Sequence, residues 1–170
     1  MTVEEVIAAA TAQTGLTNFG DDAVLDGLDR LLKSYAEEAR FTERGAAMAH
    51  AFVVEQMANR MKIEDWHRQH PELAEAPIEK PLFVFGLPRT GTTLTINLLA
   101  ADPARRSFVR WEAYEPMPPA RPEEIHAGSR FDEATAKGQM AKQYMPHIAA
   151  IHWEDADSPT ECQFLMTPSF

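Results

Sequence analysis

A single cysteine, Cys162, in 170 residues excludes an internal disulfide framework and a multi-cysteine zinc site, and suits a reducing compartment. Base is scarce as well. Sixteen Lys and Arg stand against 26 Asp and Glu, a formal net charge of -10, the wrong sign for a protein that coats nucleic acid or an anionic membrane. No apolar run reaches the roughly 18 residues of a membrane span, and the opening Met1-Thr2-Val3-Glu4-Glu5 carries acid where a secretory signal carries base. The expectation is a soluble, cytoplasmic chain without nucleic-acid or membrane partners. What is present, 45% hydrophobic and 25% charged residues, is the composition of a packed domain. Cys162 is expected to serve that packing as a small buried residue.

The first 76 residues read as helical. Thr2 followed three positions later by Glu5 forms a capping box for an Ala-rich helix that Gly15 would close. Asp21 or Asp22 can cap a second helix with Leu25, Leu28, Leu32, Tyr35 and Ala39 on one stripe. A third runs from about Thr42 to His70, with a stripe of Ala47, Ala51, Val54, Ala58 and Met61, and stops before Pro71. Met48, Met57 and Met61 are expected as core filler.

Pro77-Ile78-Glu79-Lys80-Pro81 breaks this pattern. Leu82-Phe83-Val84-Phe85 suits a strand buried on both faces, Thr92 to Ala101 a helix, and Phe108 to Trp111 a second strand, the order of one βαβ unit. The segment from Tyr114 to Pro122 is too proline-rich for regular structure, a helix is expected from about 130 to 144, and Ser158-Pro159-Thr160-Glu161 reads as another capping box. Residues 77–170 are thus expected to start an α/β domain, a P-loop NTPase-like parallel sheet with helices on both faces. Two parallel strands neither bury their faces nor satisfy their edges. The sheet is therefore expected to be incomplete here, its other strands supplied by a longer protein or by a partner chain.

The stretch Gly86-Leu87-Pro88-Arg89-Thr90-Gly91-Thr92-Thr93 has the glycine spacing of a P-loop, with Thr92 where a Walker loop has lysine. Successive N–H groups and the following helix N-terminus, with about half a positive charge, suit an anion, phosphate foremost. Kinases and nucleotide hydrolases need the missing lysine for the β- and γ-phosphates. Arg89 offers a cation inside the loop instead, able to fork onto non-bridging oxygens.

From Phe83 to Leu94 the sequence resembles the 5′-phosphosulfate-binding loop of sulfotransferases that use 3′-phosphoadenosine 5′-phosphosulfate. It is most similar to the bacterial branch with a Pro-Arg-(Ser/Thr)-Gly-Thr-Thr loop, also seen in tyrosylprotein sulfotransferases. The resemblance extends to Gly20-Asp21-Asp22, Leu99-Ala100-Ala101-Asp102-Pro103, Trp111-Glu112, the prolines at 116–119 and Ala156 to Cys162. It spans essentially the whole chain, but only about the first half of such an enzyme. It implies that Leu87, Pro88, Arg89, Thr90, Gly91, Thr92 and Thr93 hold the 5′-phosphosulfate, and that a sulfuryl group passes to a hydroxyl or amine of a small molecule or glycan. Arg89 stands where many cytosolic relatives have a lysine that helps the leaving phosphate. The family's 3′-phosphate site has no match in these residues.

Such a transfer needs an anion cradle, a fixed cation and a general base. Glu112 is the first candidate for the base, because it follows the expected second strand at the sheet edge where ligands bind in open α/β folds, and tyrosylprotein sulfotransferases are similar in using a glutamate after the loop. His147 and His152 are the alternatives. With Glu154 and Asp155 they match no zinc spacing, and no metal is expected. Trp111, Tyr114 and Met117 are candidates for the acceptor pocket, or for loop packing. A homo-oligomer is compatible with all of this. Two other readings stay open: a P-loop nucleotide kinase or hydrolase, and a fragment that binds an anion or a partner without catalysis.

Overall fold

A computed structural model of the chain describes residues 1–87, 89–151 and 153–170, with backbone alone at 148 and 149. The chain divides into two compact units, Met1–Ala76 with Leu165–Phe170, and Pro77–Phe164.

The first unit is built from α1 (Val3–Thr14), α2 (Ala23–Glu37) and α3 (Glu43–Gln69), with a 3-10 turn over Pro71–Glu75. The local signals act as their chemistry dictates. Glu5 N–H donates to Thr2 Oγ1 at 3.3 Å while Thr2 N–H donates to Glu5 Oε2 at 2.8 Å, and Gly15 closes α1 at φ 71°. At α2 the Asp21 carboxylate accepts the Ala23 N–H at 2.8 Å, whereas Asp22 makes no side-chain cap. Thr42 caps α3 through the Gly45 N–H at 3.1 Å.

Val6, Ala10, Leu28, Leu32, Val53, Val54, Met57, Ala58 and Met61 form the core of this unit. The stripe expected on α3 is right only in its second half. Val54, Ala58 and Met61 are buried, but Ala47, Met48 and Ala51 are exposed, and Met48 is not core filler. At about 1.5 Å per residue the 27-residue α3 is about 40 Å long and the 12-residue α1 about 18 Å, so α1 covers only part of its partner. The carboxy-terminal residues return here: Thr167 Oγ1 donates to the buried Gln56 at 2.8 Å, and Arg60 donates to the Pro168 carbonyl at 3.4 Å.

The second unit corrects the α/β expectation. No strand and no parallel sheet occurs among the described residues, which hold only an isolated antiparallel bridge between Val109 and Pro159. Leu82, Phe83 and Phe85 are 56%, 62% and 88% exposed rather than buried on two faces. An apolar run becomes a strand only where a second backbone accepts its ladder, and none among the described residues does so. Of the second expected strand, only Val109 forms a bridge, to Pro159. From Arg110 the chain turns into α5 (Arg110–Tyr114), because the Glu112 carboxylate reaches back to the Val109 N–H at 3.2 Å and caps a helix start.

Around these lie α4 (Thr92–Ala100), α6 (Ser129–Tyr144), α7 (Pro146–Ile151) and α8 (Cys162–Met166), where the chain passes from the second unit to the first. The capping box expected at 158–161 does not open a helix. Ser158 Oγ instead accepts the Asp155 N–H at 2.9 Å, and the Thr160 N–H goes to the Phe108 carbonyl at 3.0 Å. Cys162 is exposed, not buried. No helix among the described residues is long and apolar enough to cross a membrane.

Candidate functional site

The loop ahead of α4 is a closed turn. Thr90 donates to the Leu87 carbonyl through its backbone N–H at 3.3 Å and its hydroxyl at 2.6 Å. Arg89 takes φ 68°, a left-handed conformation rare for residues with a side chain. Gly91, at φ 91°, then serves as the N-cap of α4. A Cβ at Gly86 would stand 2.6 Å from Thr90 Oγ1 and 2.7 Å from Thr92 Cγ2, so any larger residue here must displace one of those side chains.

Thr92 and Thr93 open α4, and their N–H groups are among the donors a helix leaves without intrahelical partners. Thr95 locks the first turn, with its N–H and hydroxyl meeting the Gly91 carbonyl at 3.0 and 3.1 Å. Leu87, Arg89, Thr90 and Gly91 are exposed, Thr92 and Thr93 half-buried. Arg89 is exposed and makes no ion pair among the described residues. Pro88 and His152 lie outside the described residues.

Glu112 lies in a different setting. Its side chain is 5% exposed, and each oxygen is engaged: Arg106 donates to Oε1 and the Val109 N–H to Oε2. Within this unit a cavity of about 1240 Å³ is lined by Phe83, Gly86, Leu87, Thr92, Arg106 and Thr160, among others. The described residues lining it include Arg106 but not Glu112. Arg106 escaped the sequence reading. Its one signal was a position six residues before a candidate carboxylate, a spacing that means nothing until the start of α5 brings Glu112 back to it.

The remaining candidates are dispersed. Trp111, 2% exposed, is core: it packs with Val109 and Ala156, donates Nε1–H to the Ile125 carbonyl at 3.0 Å and carries Arg130 over its ring at 4.6 Å. Tyr114 is half-buried, its ring 5.5 Å from that of Phe164. Met117 is half-buried in the proline loop, which Arg130 fastens by donating to the Glu115 and Pro118 carbonyls. His147 is exposed on α7.

The acidic run is held by cations: Arg110 donates to Glu154, and Lys142 meets Asp155 at 2.7 Å. The hydrogen bond from Lys142, and then one from Trp153 Nε1, hold the Asp155 carboxyl below the usual carboxylate range. No group of His, Cys, Asp and Glu among the described residues could hold a metal ion.

Residues 81–170 match the model of the sulfotransferase family. The chain is similar to the crystal structure of sulfotransferase STF1 from Mycobacterium tuberculosis H37Rv, with 32% identity and a TM-score of 0.83 over 99% of this chain and 47% of that one. It is similar also to sulfotransferase STF9 from Mycobacterium avium, with 32% identity and a TM-score of 0.87 over 99% of this chain and 43% of that one. It thus spans less than half the length of either. No curated protein matches it.

Proposed function

The chain belongs to the sulfotransferase family, and from that premise we propose that its 86–93 loop holds the phosphosulfate of 3′-phosphoadenosine 5′-phosphosulfate during transfer to a hydroxyl or amine of a small molecule or glycan. The observation that carries this reading is the loop itself. Its turn is closed by Thr90, a Cβ at Gly86 would crowd the Thr90 and Thr92 side chains, and the loop carries an exposed Arg89 and leads directly into the first N–H groups of α4. Donors fixed in place before charge develops are the arrangement that stabilises an anionic leaving group.

In the transfer the acceptor oxygen or nitrogen bonds to sulfur while the bond from sulfur to the bridging phosphate oxygen breaks. Adenosine 3′,5′-bisphosphate leaves with the electron pair, and the acceptor's proton passes to a base. The N–H groups of the loop and of Thr92 and Thr93 hold the phosphate oxygens. Arg89 neutralises the charge that gathers on the bridging oxygen. Thr92 stands where a Walker loop has the lysine that reaches the β- and γ-phosphates.

Calorimetric titration of the full encoded protein tests this, with adenosine 3′,5′-bisphosphate run beside ATP with and without magnesium. Magnesium-independent binding of the bisphosphate is expected. Preference for magnesium-ATP would turn the reading to a nucleotide kinase or hydrolase, and no binding of either would leave a non-catalytic module.

A further inference from the structure

We propose that Arg106 contacts the anionic 5′ end of the sulfuryl donor and that Glu112 is the positioning residue that holds it there; the inference rests on the sulfotransferase reading above. The asymmetry of the pair is the first ground. The Arg106 side chain is 58% exposed and the Glu112 side chain 5%. A buried carboxylate needs a charged or hydrogen-bonded partner, because desolvation without one is costly. Glu112 has both, Arg106 on Oε1 and the Val109 N–H on Oε2. The second bond ties the carboxylate to the start of α5, so the guanidinium is anchored to backbone rather than to a mobile side chain.

The second ground is the cavity. Arg106 shares its wall with Gly86, Leu87 and Thr92, so an anion held at the mouth of the loop opens onto the same space. A guanidinium carries five N–H donors in a fixed fork. The donation to Glu112 uses one of them. Arg105 also lines the cavity, but its partner Asp102 is about as exposed as itself, at 49% against 47%, with Nε to Oδ2 at 3.5 Å. Exposed pairs of that kind fix little. A general base must come within hydrogen-bond reach of the acceptor. Glu112 is absent from the described wall of the cavity, and its partner is present.

The two roles for Glu112 predict opposite behaviour in one measurement. A base lost to Glu112→Gln leaves donor affinity intact, whereas a lost anchor loosens Arg106 and weakens it. The experiment titrates adenosine 3′,5′-bisphosphate, and adenosine 3′-phosphate as a probe without the 5′ group, into the full encoded protein by calorimetry. It compares the natural chain with Arg106→Met, Arg106→Lys, Glu112→Gln and the Arg106→Met/Glu112→Gln double variant, with thermal melting of each.

Arg106→Met is expected to raise the Kd for the bisphosphate about tenfold and Glu112→Gln about threefold. The double variant should be no weaker than Arg106→Met alone, since residues acting as a unit are not additive. Affinity for the 3′-phosphate should be unchanged throughout. Should Arg106→Met fail to fold, Arg106→Lys keeps the charge without the fork and should raise the Kd about threefold. Unchanged bisphosphate affinity in Arg106→Met, or in Arg106→Lys where that variant stands in, overturns the proposal. So does Glu112→Gln with intact affinity for the bisphosphate, and so does an additive loss in the double variant. If the natural chain itself does not bind the bisphosphate, the sulfotransferase reading fails and takes this one with it; binding that is indifferent to Arg106 sinks this one alone.

Discussion

Thr90 donates twice to one acceptor, the Leu87 carbonyl, by its backbone N–H at 3.3 Å and its hydroxyl at 2.6 Å. The intervening Arg89 is thereby held at φ 68°. A residue with a side chain stays in that region only when its surroundings fix it. The side-chain clamp thus adds a second bond to the one that closes this glycine-flanked turn.

Thr90→Val keeps the shape and removes the hydroxyl. A neutral hydrogen bond is worth about 1 kcal/mol, so the Kd for adenosine 3′,5′-bisphosphate should rise about fivefold, with Thr90→Ser close to the natural chain. A valine variant that binds as well as the natural chain would show that the backbone bond alone closes the turn.

The two loop glycines should fail for different reasons. At Gly86 a Cβ meets Thr90 and Thr92 at 2.6 and 2.7 Å, whereas at Gly91 it meets nothing within 4 Å but sits on φ 91°. Gly86→Ala should therefore reshape the turn and cost binding of the bisphosphate more than tenfold. Gly91→Asn should be milder than Gly91→Val, because asparagine tolerates positive φ. Equal losses for the two substitutions at Gly91 would point to crowding by a ligand rather than to backbone strain.

Legibility followed the range of the interaction. The Thr2 and Glu5 capping box and the helix stop at Gly15 are decided within four residues, and the sequence announces them. The turn into α4 is local too: Thr90 closes on Leu87 and Gly91 takes the positive φ ahead of Thr92. Leu82 to Phe85 and Phe108 to Trp111 misled because an apolar run reports burial without naming its partner. Only the placement of Glu112 against the Val109 N–H shows that the second run starts a helix. Arg110 and Glu154, 44 positions apart, carry no local signature.

Met57 and Met48 separate core from surface on one helix. Met57 is 0% exposed and Met48 64% exposed. Met57→Ala should destabilise the first unit by about 2–4 kcal/mol, and Met48→Ala should fall within about 0.5 kcal/mol of the natural chain. Urea unfolding followed by helix signal measures both. Comparable losses would mean that something covers the amino-terminal half of α3 in solution.

Lys142 gives the acidic run a pH dependence of definite sign. Its ammonium bonds Asp155 at 2.7 Å and lies 3.6 Å from the centre of the Trp153 ring, whose Nε1–H also donates to Asp155. Those two hydrogen bonds lower the Asp155 carboxyl in the folded state. Stability from the pair is therefore fully present above the unfolded value, about pH 3.9, and is lost as pH falls through the lower folded value. Because the Asp155 side chain is 54% exposed, solvent screening holds the contribution under about 1 kcal/mol. Lys142→Met should raise the Asp155 midpoint in a carboxyl-carbon NMR titration. It should also lower the thermal midpoint at pH 7 by more than at pH 2. The ring contact of Lys142 does not titrate over that range, so its loss appears equally at both values, and the difference between them isolates the ion pair. An identical loss at pH 7 and pH 2 would show that Lys142 matters here only by packing on Trp153.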